Sequence, residues 1–466
     1  MKSVSLSVAG ALLLATVAHG TFAQTPARMP DDAQIRTLLV DRIDVQRQGI
    51  GMVVGVIDAQ GKRIVSYGSA AAGSKQPLNG QSIFEIGSAT KVFTALLLAD
   101  AVQRGDVALT DPISRYLPAD VTVPARGGRQ ITLEDLVTHT SGLPRLPSNL
   151  APGDPANPYA DYTVPQLYAF ISSYELPRDI GVRYEYSNLG AGLLGHILAR
   201  RAGVDYETLV RTRITQPLGM TSTAIGLTAE MKPRLVAGHN AGRVAVPLWD
   251  IPTLAGAGGL RSSADDLLIF LSAQLGLEPT ALSAAATSTL ATRRPTGQAG
   301  LEIALGWHLL KTPGGGEIAW HNGGTGGYRS FIGFNRANRT GVVVLSNMST
   351  AAGADDIGRH LLEAGFPLMK ATAARKAITV TGELLEGYVG KFELAPSFVI
   401  AITREGTRLF LQATNQPRFE LFAETERKFF LKEVNAQVTF EVDEKGRAVQ
   451  LILHQAGANQ PAKRIE

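Results

Sequence analysis

The sequence predicts a mixed body, α+β or α/β, closed by its own C-terminal strands and followed by a small antiparallel β domain. Three observations carry this. Apolar strand patterns stand at both ends of the first two thirds of the chain. Helical runs separated by Pro- and Gly-rich loops fill the space between them. Beyond about residue 380 the pattern becomes period-two with short turns.

Taken in order, residues 31–48 read as a polar helix and residues 51–58 (GMVVGVID) as a buried strand. A turn at residues 59–62 and a returning strand at 64–67 make an antiparallel hairpin. Residues 88–104 (SATKVFTALLLADAVQR) are helical in composition and apolar nearly all round, the pattern of a helix central to a large domain. Shorter helical runs follow at residues 133–137, 189–198 and 264–271. Strands are expected again near residues 305–307 and at 317–321, 328–335 and 341–347, then a closing helix at 354–364. Residues 371–377 have the composition of a linker. The hairpins 398–402 with 409–411 and 438–442 with 449–453 belong to a set of about six to eight strands, a small barrel or sandwich.

With 466 residues, the chain is long enough for one large domain and one small one. Charged residues make up 18% and the formal net charge is +4, so neither disorder nor nucleic-acid binding is indicated. There is no cysteine, which excludes disulfides, thiolate metal sites, cysteine nucleophiles and a lipidated N-terminal cysteine. Lys2, the uncharged residues 4–18 and the ending Thr21-Phe22-Ala23 read as a secretory signal peptide cut after Ala23, which places the mature chain in the periplasm or the medium. The run is shorter than a membrane span requires, and no other stretch is long enough.

No G-x-S-x-G is present, so a strained strand-to-helix nucleophile elbow is unsupported. The chain holds one S-x-x-K, Ser88 to Lys91. At helical spacing, residues i and i+3 share a face, which sets the Lys91 amine beside the Ser88 hydroxyl. A lysine desolvated by an apolar helix has a lowered pKa and can take the serine proton. The bland alternative makes Ser88 a helix cap and Lys91 a solvated charge. Tyr186-Ser187-Asn188 is the only Y-x-N and opens the next apolar helix. A tyrosine whose pKa a nearby lysine lowers can serve as a base, and Asn188 offers an amide to orient substrate or simply caps its helix. His321-Asn322-Gly323 is the only H-x-G, at a strand end before Gly324, Gly326 and Gly327, where a substrate could lie against the backbone. His321 could equally be a structural hydrogen-bonder. His139 reads as a scaffold histidine, and Trp320 as a core residue or a stacking surface.

The ordered set Ser88-x-x-Lys91, Tyr186-x-Asn188, His321-x-Gly323 resembles the serine β-lactamase and penicillin-recognising family, particularly its class C-like branch. Residues 136–144 (LVTHTSGLP), 216–220 (QPLGM) and 258–267 (GGLRSSADDL) are similar to that branch's scaffold. The resemblance implies an α+β fold, an antiparallel sheet flanked by helices plus an all-helical lobe, ahead of a small all-β barrel-like accessory domain. The domains are then a signal peptide (1–23), a catalytic domain (24–368), a linker (369–381) and the β domain (382–466).

It also implies acylation of Ser88, with Lys91 and Tyr186 sharing the proton work and Asn188 holding the substrate amide. The oxyanion hole would be the N–H groups of Ser88 and Gly324, with His321 and Gly323 at the substrate strand. No metal or cofactor is called for. The substrate would be a small molecule: a β-lactam, a D-Ala-D-Ala peptide or an ester. A non-catalytic cell-wall-binding module is the contrasting reading.

One departure stands out. The family's usual Lys-Thr-Gly, whose cation helps hold a substrate carboxylate, is His321-Asn322-Gly323 here. A histidine is only partly charged at neutral pH, which disfavours acidic substrates. Lys311 or Arg329 could compensate, although Lys311-Thr312-Pro313 reads as a hairpin turn.

Overall fold

A computed structural model describes residues 29–466 apart from 351, 370–374, 376, 396–397, 415, 417, 432–435 and 456–457. The signal-peptide expectation lies outside the described residues.

Helix α1 (Asp32–Val40) starts at a capping box in which Asp31 accepts from Gln34 N and the Gln34 side chain answers the Asp31 N–H. It is shorter than the expected helix because a π-helical turn, Asp41–Val45, takes over. Strands β1 (Gly51–Asp58) and β2 (Gly61–Gly68) form the predicted hairpin. Helices α2 (Thr90–Gln103), α3 (Asn188–Ala202) and α4 (Ala264–Leu275) stand among the loops of the middle region.

Strands β3 (Arg294–Pro295), β4 (Leu301–Ile303), β5 (His308–Lys311), β6 (Glu317–Gly324), β7 (Arg329–Asn335) and β8 (Thr340–Ser346) complete an eight-stranded sheet, ordered β2-β1-β8-β7-β6-β5-β4-β3. Every neighbouring pair is antiparallel. The strand expected at residues 305–307 begins instead at His308. Gly306 adopts φ +71° in a turn pressed on α2, where an added Cβ would stand 3.0 Å from Lys91 O. Strands β3 and β4 are too short to leave a periodic pattern.

Both faces of this sheet are covered, which explains why β1 and β8 read as unbroken apolar runs. On one face Met52, Val54 and Val56 pack with Ile35 and Leu39 of α1, and with Ile357 and Leu361 of α5 (Asp355–Leu362). On the other, Val53, Ile57 and Val343 meet Leu267, Leu268 and Leu271 of α4 and the helical lobe. Helix α2 lies inside that lobe and is buried from Thr90 through Ala101. Its Phe93 stacks on Phe270 at 4.1 Å between ring centres.

The C-terminal unit is a closed barrel of β9 (Gly390–Ala395), β10 (Phe398–Glu405), β11 (Arg408–Ala413), β12 (Arg418–Ala423), β13 (Lys428–Phe430), β14 (Ala436–Val442), β15 (Ala448–Gln455) and β16 (Ala458–Arg464). Pairing of Phe392 with Arg464 joins first strand to last, so no strand edge is left open. Inside, Tyr388 stacks on Phe440 at 4.3 Å, with Phe392 and Phe429 around them. The described residues include no helix long and apolar enough to cross a membrane.

Candidate active site

Ser88 sits on a single 3-10 turn, Gly87–Ala89, ahead of α2. Three contacts hold this turn. Ile86 N donates to Leu260 O at 3.1 Å, and Phe84 and Glu85 pair with Ser262 and Arg261. The end of β6 lies hard against it, so that an added Cβ on Gly323 would stand 1.8 Å from Ile86 O. Gly87 itself takes φ +50°. Ser88 makes no capping bond. It remains half-buried and available, which removes the helix-cap alternative.

One helical turn on, Lys91 is 3% exposed. Its Nζ lies 3.0 Å from Ser88 Oγ, 2.9 Å from Asn188 Oδ1 and 2.7 Å from Ala257 O. No carboxylate among the described residues pairs with it. Burial holds its pKa well below that of an ordinary lysine, and the positive charge of Arg145 lowers it further. The geometry suits a neutral amine. Two N–H groups meet the amide and carbonyl oxygens, which can only accept, and the nitrogen lone pair is left for the Ser88 O–H.

Asn188 is not the cap of α3. Ser187 is, its Oγ accepting from Gly190 N at 2.8 Å and donating to Pro144 O at 2.6 Å. That frees the Asn188 amide, whose Nδ2 donates to Tyr159 Oη at 3.3 Å. Ala257 reaches Lys91 because α3 packs glycine against glycine there. An added Cβ on Gly195 would stand 2.8 Å from Gly256 Cα.

The Tyr186 ring faces Lys91 Nζ at 4.8 Å, and its own phenol is pushed up to about 12 by burial. The Ser88 hydroxyl and Arg145 offset part of that shift. Tyr186 therefore rests as a neutral phenol, not the lysine-depressed base that spacing alone suggested. His139 is a buried scaffold residue, as expected. Its Nδ1 accepts from Ser187 N at 3.1 Å and its ring packs on Tyr186 at 4.6 Å.

His321 corrects the expectation of a partly charged residue. It has no exposed surface, its ring lies 6.1 Å from that of Tyr186, and burial drives its pKa well down. Its Nδ1–H donates to Asn322 O at 2.6 Å, leaving Nε2 as an acceptor without a partner among the described residues. His321 is thus neutral, as is His308, which burial takes to about 4.

Neither proposed substitute for the missing lysine is in place. Lys311 pairs with Glu317 at the opposite end of β6 from Gly324. Arg329 is turned to backbone, its Nε donating to Thr350 O and its Nη1 to the carbonyls of Thr325 and Tyr328. Trp320 stacks on Phe331 in the α1/α5 layer, a core role.

Above Ser88 opens a small cleft lined by Tyr159, Asn188, Trp249, Ile251, Gly324 and Thr325 among others. The Trp249 indole donates to Ala156 O at 3.0 Å and packs on Tyr159 at 5.5 Å, while its backbone N–H is held at 2.8 Å by the buried Glu85. Tyr159, Trp249, Ala257 and Arg145 are not found by sequence reasoning, because each lies alone in an irregular loop or short turn without a periodic or spaced signal. No group of three or more His, Cys, Asp or Glu among the described residues is placed to hold a metal ion.

A half-buried serine beside a buried lysine at a helix start, faced by a tyrosine and closed by an antiparallel sheet, defines a serine acyl hydrolase. Residues 32–365 match the β-lactamase family model, and the chain belongs to that family. Residues 374–464 match a second model, described as a domain of unknown function (DUF3471). The chain is 26% identical over 442 residues to "Penicillin-binding protein 4*" of Bacillus subtilis (strain 168), covering 88% of this chain and 94% of that protein. It is 29% identical over 352 residues to the D-alanyl-D-alanine-carboxypeptidase/endopeptidase AmpH of Escherichia coli (strain K12), covering 73% and 90%. Among solved structures, a class C β-lactamase from Rhodobacter sphaeroides aligns with TM-score 0.60 and 26% identity, covering 72% of this chain and 98% of that one. The chain is a serine hydrolase of β-lactamase type.

Proposed function

We propose that the protein opens β-lactam amides through an acyl-enzyme on Ser88. Neutral Lys91 takes the Ser88 proton as Oγ attacks the carbonyl carbon. The oxyanion that forms is met by the N–H groups of Ser88 and Gly324. The proton passes by way of the Tyr186 phenol to the leaving nitrogen as the C–N bond breaks. Water then attacks the ester carbonyl, giving its proton back through the same pair and releasing Ser88. Asn188 and the backbone at Gly323 position the substrate amide.

The observation that carries this reading is Lys91 Nζ at 3.0 Å from Ser88 Oγ, buried and without a carboxylate partner. Hydrolysis of D-Ala-D-Ala peptides at the same site is the second reading, favoured by the likeness to a carboxypeptidase/endopeptidase over 90% of that relative's length. Neutral His321 also leaves room for esters. The leader-like residues 1–23 support action outside the cytoplasm.

A fluorescent penicillin should label the wild-type chain on Ser88, located by mass spectrometry, and fail to label Ser88→Ala. Labelling that survives in Ser88→Ala refutes the nucleophile. Turnover of a chromogenic cephalosporin, a D-Ala-D-Ala peptide and a short-chain nitrophenyl ester then ranks the substrate classes.

A further inference from the structure

A carboxypeptidase substrate ends in a free carboxylate, and a penicillin carries one beside its scissile ring. The cations around the Ser88 cleft are therefore candidates to receive it. Lys91 is committed to Ser88, Asn188 and Ala257, and His321 is buried and neutral. Arg329 is tied to three carbonyls, and Arg261 is buried against Glu85, the Trp249 carbonyl and the Ile225 carbonyl.

Arg145 differs from all of these. It is exposed, and its guanidinium lies 5.1 Å from the centre of the Tyr186 ring, the ring that Lys91 also faces. Its backbone is fixed, because its carbonyl accepts the N–H groups of Asn188 at 3.0 Å and Leu189 at 3.2 Å. The side chain has no carboxylate or hydrogen-bond partner among the described residues. Its place beside the reaction centre is set by that 5.1 Å approach to the Tyr186 ring and by its backbone bond to Asn188, and its positive charge lowers the pKa of Lys91.

We infer that Arg145 receives the carboxylate of the substrate, a task for which His321, fully buried with its Nδ1–H turned to Asn322 O, is not placed. A planar guanidinium that lies over one aromatic ring and makes no hydrogen bond among the described residues has N–H edges to offer for a bidentate carboxylate contact. The anchoring of Arg145 to the first residues of α3 keeps that contact in register with the Asn188 amide. The inference rests on the Ser88 reading given above.

The test measures acylation of the full chain by benzylpenicillin and by its methyl ester, which lacks the charge, using intact-protein mass. Wild type, Arg145→Ala, Arg145→Lys and Ser88→Ala are compared. The wild type should acylate faster with the free carboxylate. In Arg145→Ala the ratio of the two rates should fall about 10- to 100-fold, as expected for loss of one charge-assisted contact, and Arg145→Lys should recover part of it. Added salt should shrink the wild-type ratio, because Arg145 is exposed.

A wild-type chain without preference, an unchanged ratio in Arg145→Ala, or equal losses on both compounds overturns the inference. Failure of the Ser88 reading is seen separately, before any change at Arg145. It takes the form of no acylation of wild type by either compound, or acylation that persists in Ser88→Ala, and it removes the inference too.

Discussion

Gly323→Ala is the most exacting perturbation of the site. An alanine Cβ there would stand 1.8 Å from Ile86 O and 2.4 Å from Ser330 Oγ. The serine side chain can turn away. The Ile86 carbonyl cannot, because it belongs to the backbone that leads into Gly87 and Ser88. Restoring ordinary contact separates β6 from the nucleophile turn by about 1.2 Å, and a misplacement of that size costs about 100-fold in rate when reacting groups must align. Overpacking of this kind also lowers stability by about 1–3 kcal/mol.

Gly324→Ala is the internal contrast, since its Cβ would meet the Arg329 side chain, 2.5 Å from Nη1, and not the backbone of the nucleophile turn. Acylation rates by a chromogenic cephalosporin, read beside thermal melts, separate the two effects. Gly323→Ala should be folded, slower by about two orders of magnitude, and worse than Gly324→Ala. A folded Gly323→Ala with wild-type rates would refute the argument that this strand and turn are held in contact for catalysis.

Four further outcomes are expected. Acylation kcat/KM should rise with pH as Lys91 loses its proton, at a pH below that of an ordinary lysine, and should not fall from phenol ionisation until near 12, where Tyr186 titrates. An acid limb at the ordinary lysine position would contradict the buried amine. His308 binds a proton near 4 when folded and near 6.5 when unfolded, so the unfolded chain holds more protons between those values. Stability should fall as pH drops from 6.5 towards 4, by about 3 kcal/mol from this group, and His308→Gln should flatten that slope in urea titrations.

Asn188→Ala leaves a Lys91 donor unpaired in a buried site. It should cost about 1–3 kcal/mol in urea stability and slow acylation, whereas unchanged stability would show that water replaces the amide. Phe440→Ala removes the ring at the centre of the barrel stack and should cost about 3–5 kcal/mol, seen as faster hydrogen exchange in residues 390–464; exchange that stays slow there would contradict its place in the core.

Much of the site was legible because its logic is local. Ser88 and Lys91 share a helix face by spacing, and that helix advertises its burial by being apolar all round. The Y-x-N and H-x-G motifs sit at element boundaries marked by glycine and helix-opening residues. The period-two hairpins beyond residue 380 likewise foretold strands that close into a barrel, because alternation is a property of neighbouring residues. The misread elements have equally local causes. Gly306 ends a run that otherwise looks like a strand, and Ser187 competes better than Asn188 for the cap of α3.

Charge states and cleft walls depend on what the chain brings together from a distance. Local patterning along the chain was enough to set Ser88 beside Lys91, to order the three motifs and to give the mixed fold, since helix and strand periodicities act over a few residues. The assembled fold is what desolvates Lys91, keeps Tyr186 protonated and buries His321 as a neutral ring while Arg145 stays exposed. The three protonation states follow first from burial among residues that lie far apart in the chain. Desolvation is a property of the assembled volume, and no spacing along the chain encodes it.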